Sequence, residues 1–163
     1  MNAQKYPSSI IKKGATLYES IYYIDDNGKA KVETRIYCVR SVQKKRNALS
    51  DQPHVNITMK IDGVTWGKRS TKIGDYGWLS SIPRVYVKQF REGDKLPYGI
   101  YTTKLAALKF AIATLKDEVE FDEQGIRDAK NKNDIKFYTS ELEENNLLLK
   151  AARTRLKREQ NKR

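Results

Sequence analysis

The chain has 163 residues, enough for one domain of ordinary size or a small domain with an appendage, and 32 Lys and Arg against 20 Asp and Glu give it a net charge of +12. No apolar run approaches the roughly 20 residues of a membrane span, and the opening MNAQKYPSSIIKKG lacks the apolar stretch of a signal peptide. One cysteine, Cys38, cannot form an internal disulfide, and one histidine, His54, cannot anchor a His/Cys metal site alone. These features argue against a secreted disulfide scaffold, a zinc finger and a membrane protein. They favour a cytoplasmic protein with a polyanionic partner and no cofactor.

Composition divides the chain. Residues 1–101 hold nine of the ten tyrosines, both tryptophans and eight of the nine glycines, with a net charge of +9. Residues 102–163 have one tyrosine, one glycine, no proline and a charge of +3. Aromatic and β-branched residues between glycine turns predict strands, and Ala, Leu, Lys and Glu without proline predict helix. The expected class is α+β: a small N-terminal SH3-like antiparallel β-barrel over 1–101, then a coiled-coil-like helical hairpin over 102–163.

In chain order, Leu17–Ile24 and Lys31–Val42 flank Asp25-Asp26-Asn27-Gly28, a hairpin turn signal. Alternation in the second strand puts Val32, Thr34, Ile36, Cys38 and Val42 on an apolar face, and Lys31, Glu33, Arg35, Tyr37 and Ser41 on a polar one. Cys38 is therefore expected in the core. Residues 43–53 break the pattern as a basic loop. Val55, Ile57, Met59 and Ile61 alternate as a third strand, and Asp62-Gly63 turns the chain into Val64-Thr65-Trp66. Residues 67–83 read as irregular, Arg84–Phe90 as a strand and Tyr98–Tyr101 as a short last strand.

The helical part repeats at spacings of three and four through Leu105, Leu108, Ile112, Leu115, Val119, Ile126 and Ala129, interrupted by Asp122. After the polar break 130–134, Ile135, Tyr138, Leu142, Leu149, Ala152 and Leu156 repeat likewise, with Asn145 as the polar exception. Thr102 or Thr103 is expected to cap the first helix, and Asn133 or Asp134 the second. The two seams predict either an antiparallel hairpin or pairing between chains.

Basic residues interleaved with aromatics point to nucleic acid, because Lys and Arg neutralise phosphates and release counterions whatever the base sequence. The candidate contacts are Lys12, Lys13, Arg35, Tyr37 and Arg40 on and before the strands, with Lys44, Lys45, Arg46, Lys68, Arg69 and Lys72 in or beside loops. Gly67-Lys68-Arg69-Ser70-Thr71 is not a P-loop: Gly63 and Gly67 are separated by three residues rather than four, and Arg69 follows the lysine. The basic end Lys150–Arg163 reads either as a tail that binds nucleic acid or, the favoured reading, as neutralised at least in part by Asp117, Glu118 and Glu120 of an antiparallel first helix. No carboxylate pair, histidine or cysteine constellation supports catalysis, so no enzyme is expected.

Ile10-Ile11-Lys12-Lys13-Gly14-Ala15-Thr16-Leu17-Tyr18 resembles the opening of KOW-type SH3-like barrels, where a Lys-Gly step precedes a strand entering a small five-stranded barrel. The second glycine of that pattern is missing here. Size, charge and barrel-then-helices order are also similar to small KOW-containing early proteins of T-even-type phages. The resemblance implies sequence-nonspecific binding of double-stranded DNA, with RNA the alternative, and an effect on host transcription or nucleoid in the host cytoplasm, with a host nucleoid or transcription protein as partner. The competing reading is a phage inhibitor of a host protein, such as a defence nuclease or transcription factor, acting by protein–protein contact.

Overall fold

The computed structural model describes residues 10–43 and 53–162. It is an α+β chain with two antiparallel sheets followed by two helices. The strands are β1 (Thr16–Ile24), β2 (Ala30–Gln43), β3 (His54–Lys60), β4 (Val64–Trp66), β5 (Thr71–Ile73), β6 (Trp78–Leu79), β7 (Val87–Arg91) and β8 (Ile100–Tyr101), and the helices are α1 (Lys104–Asp128) and α2 (Lys132–Gln160). The main sheet runs β7-β3-β2-β1-β8, and a small sheet runs β4-β5-β6. The small sheet lies largely within 67–83, the stretch expected to be irregular; its strands are too short for alternation to register. Arg84–Tyr86 is a 3-10 turn rather than the start of a strand. It follows Pro83, which has no N–H to donate to a sheet ladder.

The chain forms two compact units, Met1–Glu19 with Arg35–Thr102 and Ser20–Thr34 with Thr103–Arg163. The turn-proximal half of the β1–β2 hairpin thus groups with the helices, on the other side of the compositional boundary at 101. Gly28, at φ 70, takes the left-handed position of the hairpin loop, while the Asp25 carboxylate accepts from the N–H groups of Asn27 and Lys29.

The core of the first unit gathers Leu17, Tyr37, Val39, Val55, Ile57, Phe90 and Ile100 from the main sheet, with Ile11 and Leu96. Each such aliphatic or aromatic side chain contributes about 1.5–3 kcal/mol on leaving water. Tyr37 lies in this core, not on the polar face that simple alternation gives it. The cause is a bulge in β2. Val39 pairs with Ile57 and Ser41 with Asn56, leaving Arg40 as the extra residue. One inserted residue reverses the inward face, so Tyr37 and Val39 point in before the bulge and Val42 after it.

In the second unit, Ile112, Leu115, Leu148, Leu149 and Ala152 form the core, covered by Tyr22, Ile24, Ala30 and Val32 of the hairpin and by Val119 and Leu156. The helices are antiparallel, since Asp122 meets Asn145 and Gly125 meets Tyr138. Thr103 caps α1 by accepting from Ala106 N–H. The cap of α2 is Asn131, two residues before the earlier of the expected positions. It accepts from Asp134 N–H, and its own amide donates to the Asp134 carboxylate, a reciprocal pairing that Asn133 has no acid placed to make.

Candidate nucleic-acid interface

The bulge that buries Tyr37 also turns Arg40 away from the core. Its side chain lines a groove of about 980 Å³ on the first unit, together with Lys13, Lys68, Arg69 and Arg84. Thr58, Asn56 and Ser41 supply neutral polar groups on the same wall, and no carboxylate lines the groove among the described residues. Four of the cations are exposed, whereas Arg40 is half-buried and its Nη1 meets no hydrogen-bond partner among the described residues. A buried guanidinium N–H left unpaired is costly, and an anionic oxygen entering the groove removes that cost.

Lys68 and Arg69 are held by a tight turn. The Gly67 N–H donates to Ser70 O at 2.9 Å. A Cβ at Gly67 would lie 2.5 Å from Ser70 Oγ and 3.0 Å from the Trp78 ring, so a larger residue there must turn the Ser70 hydroxyl aside and press on the ring. Trp66, just before the turn, donates its indole N–H to Met59 O and meets Tyr86 edge-to-face at 5.9 Å. These contacts fix the groove wall that Trp66 lines.

Of the residues expected to bind nucleic acid, Lys13, Arg40, Lys68 and Arg69 therefore come together. Lys12 is exposed but is not among the groove residues, and Lys72 is exposed on β5 opposite Trp78. Lys44, Lys45 and Arg46 lie outside the described residues. Arg35 and Tyr37 belong elsewhere. Tyr37 is 0% exposed, and its hydroxyl donates to Glu19 at 2.8 Å. Glu19 also accepts from Lys88 Nζ at 3.0 Å and pairs with Arg35 at 3.8 Å. Tyr37 thus has no face free for a base, and Arg35 already has a carboxylate partner. Burial first, then the Glu19 hydrogen bond, pushes the Tyr37 phenol well above its ordinary value. Cys38, expected in the core, is half-buried on the groove wall because the bulge reverses the face.

Arg84 joins the groove although sequence pattern placed it at a strand start; the preceding Pro83 was the available signal. No ion pair among the described residues joins the basic end of α2 to Asp117, Glu118 or Glu120. With Asp122 opposite Asn145, the acidic stretch of α1 lies against the middle of α2, and Glu118 accepts from the Tyr22 hydroxyl at 2.9 Å. Glu159 takes Arg155 and Lys162, while Lys150, Arg153 and Lys157 make no ion pair among the described residues. Those three cations line a shallow concavity on α2 with Thr154 and Asn146.

No cluster of His, Cys, Asp or Glu among the described residues is placed to hold a metal ion, and no described helix is long and apolar enough to cross a membrane. Compared with protein-family models, curated proteins and solved structures, the chain matches none of them.

Proposed function

We propose that this is a non-enzymatic protein that binds double-stranded DNA without sequence preference, using the groove of the first unit as a phosphate contact. The observation that carries the reading is the cluster of Arg40, Lys13, Lys68, Arg69 and Arg84, where, among the described residues, no carboxylate lines the groove and Arg40 Nη1 has no hydrogen-bond partner. A neutral ligand would leave that charge uncompensated, and a metal cation would be repelled. A phosphate backbone supplies repeated anionic acceptors, and contacts to it position a protein without reading bases.

The first unit is read here as a KOW-type, SH3-like barrel. In support, Gly14, at φ 88, follows Lys13 and donates its N–H to Val39 O at 2.8 Å, tying the Lys-Gly step to β2. On the resemblance to the T-even phage modifier of transcription MotB, the protein acts on host transcription or nucleoid. The helical unit is then the surface for a host partner. Phe121 and Phe137, 67% and 59% exposed, favour such a contact and also suit the competing reading, an inhibitor that works by protein–protein binding.

Fluorescence anisotropy with several unrelated duplexes tests the proposal. Similar affinities that fall together as salt rises are expected. Absence of binding at low salt contradicts it, and so does a strong preference for one duplex.

A further inference from the structure

We infer that Trp78 stacks on an unpaired base of a strand whose phosphates pass over the Lys68–Arg69 turn, so the site engages melted or single-stranded segments as well as intact duplex. The inference rests on the nucleic-acid reading above and adds a base contact to it. Trp78 is 57% exposed, and Tyr76, two residues earlier, is 88% exposed. An exposed aromatic ring offers a π-face on which a base can stack.

Three features place Trp78 beside phosphate-binding groups. Its ring edge rests over Gly67, at the base of the turn that carries Lys68 and Arg69. Its direct cross-strand neighbour on β5 is Lys72, and the next in the row is Thr65 on β4, so Trp78, Lys72 and Thr65 share one face of the small sheet. All three are exposed. Trp66 faces the other side and lines the groove. The turn is therefore a rim with cations on it, phosphate-binding groups on one side and a ring beside a lysine on the other. A base needs an open ring face, and its phosphate needs a cation within reach of the same nucleotide. Trp78 with Lys72 supplies both. In intact duplex the bases are stacked on one another and cannot reach the ring, so the contact is specific to unpaired nucleotides.

The test uses the full-length protein, a short oligothymidylate and a blunt duplex of the same length, read by intrinsic tryptophan fluorescence and by anisotropy. Oligothymidylate should quench the wild-type fluorescence. Trp78→Phe should keep most of the affinity and lose most of the quenching. Trp78→Leu should lose about tenfold in affinity for oligothymidylate and little for duplex. Equal quenching in wild type and Trp78→Phe overturns the inference, as does undiminished single-strand affinity in a folded Trp78→Leu variant. In either case continued binding of duplex leaves the broader reading standing. Failure of the wild type to bind either nucleic acid removes both.

Discussion

Tyr37 and Arg40 stand three positions apart on β2 and meet opposite environments. Tyr37 is sealed in the core with its hydroxyl on Glu19, while Arg40 turns out at the bulge with its Nη1 unpartnered among the described residues. Each makes a distinct prediction. Because burial and Glu19 raise the Tyr37 phenol above its ordinary 10.0, the neutral form is the one the fold holds. Its contribution is fully present below pH 10 and is lost as pH rises beyond that. Tyr37→Phe should cost about 1 kcal/mol at neutral pH, where the Glu19 hydrogen bond is removed, and the deficit should shrink in strong alkali. Urea midpoints at neutral and alkaline pH check this; a deficit that grows with pH contradicts it. Arg40→Leu removes a half-buried guanidinium whose Nη1 has no hydrogen-bond partner among the described residues, so stability should hold or rise while duplex affinity falls about tenfold, since charge-assisted phosphate contacts are of order 1.5–3 kcal/mol. Thermal melts and anisotropy on the same variant separate the two effects. Much of this residue-scale picture was hidden in the sequence. Alternation identifies β2 well enough, but a bulge leaves no local mark among residues that all tolerate strand geometry, and it reverses the face of Tyr37 and Cys38 together.

The helical hairpin was more legible, because a 3.6-residue period over two long segments is hard to produce by chance. Its two polar interruptions, Asp122 and Asn145, turn out to be partners: the Asn145 amide donates to Asp122 Oδ2 at 2.8 Å, with Asp122 only 5% exposed. One pairing at one level fixes the register of the seam. Asn145→Leu should destabilise the protein by about 1–3 kcal/mol, because it leaves a buried carboxylate without its donor. Adding Asp122→Leu should recover most of that loss. A double variant no more stable than Asn145→Leu would show that the pair is not energetically coupled. Gly125 is the other anomaly in α1, where glycine costs about 1 kcal/mol relative to alanine. Its place is explained by Tyr138, whose ring would sit 2.6 Å from a Cβ there. Gly125→Ala should therefore destabilise by about 1–2 kcal/mol despite the gain in helix propensity, and a stabilised variant in chemical denaturation would contradict the close approach. Cap positions and the small sheet were less visible. Asn131 and Asn133 are equally good caps by type, and only the position of Asp134 in the first turn distinguishes them.

Across the whole molecule, charge follows the compact units rather than the compositional boundary. The first unit, Met1–Glu19 with Arg35–Thr102, has 16 basic and 6 acidic residues, and the second has 16 and 14. Moving the hairpin's turn-proximal half, with Asp25, Asp26 and Glu33, into the helical unit leaves the first unit the more one-sided. On the proposed function, that imbalance would raise the local anion concentration around the groove and steer a polyanion toward it. The basic character of the N-terminal part was plain from composition. Which cations converge was not, because Arg40 depends on the bulge and Arg84 on a turn after Pro83. In the second unit, Lys150, Arg153 and Lys157 line one concavity on α2 and make no ion pair among the described residues. Whether the groove itself neutralises phosphates is read from the salt dependence of duplex affinity for the wild type beside the Lys68→Ala/Arg69→Ala/Arg84→Ala variant. Log affinity should fall linearly with log salt in the wild type, with a slope shallower by roughly 0.9 for each phosphate that the folded variant no longer neutralises. An unchanged slope, or an affinity indifferent to salt, would contradict it.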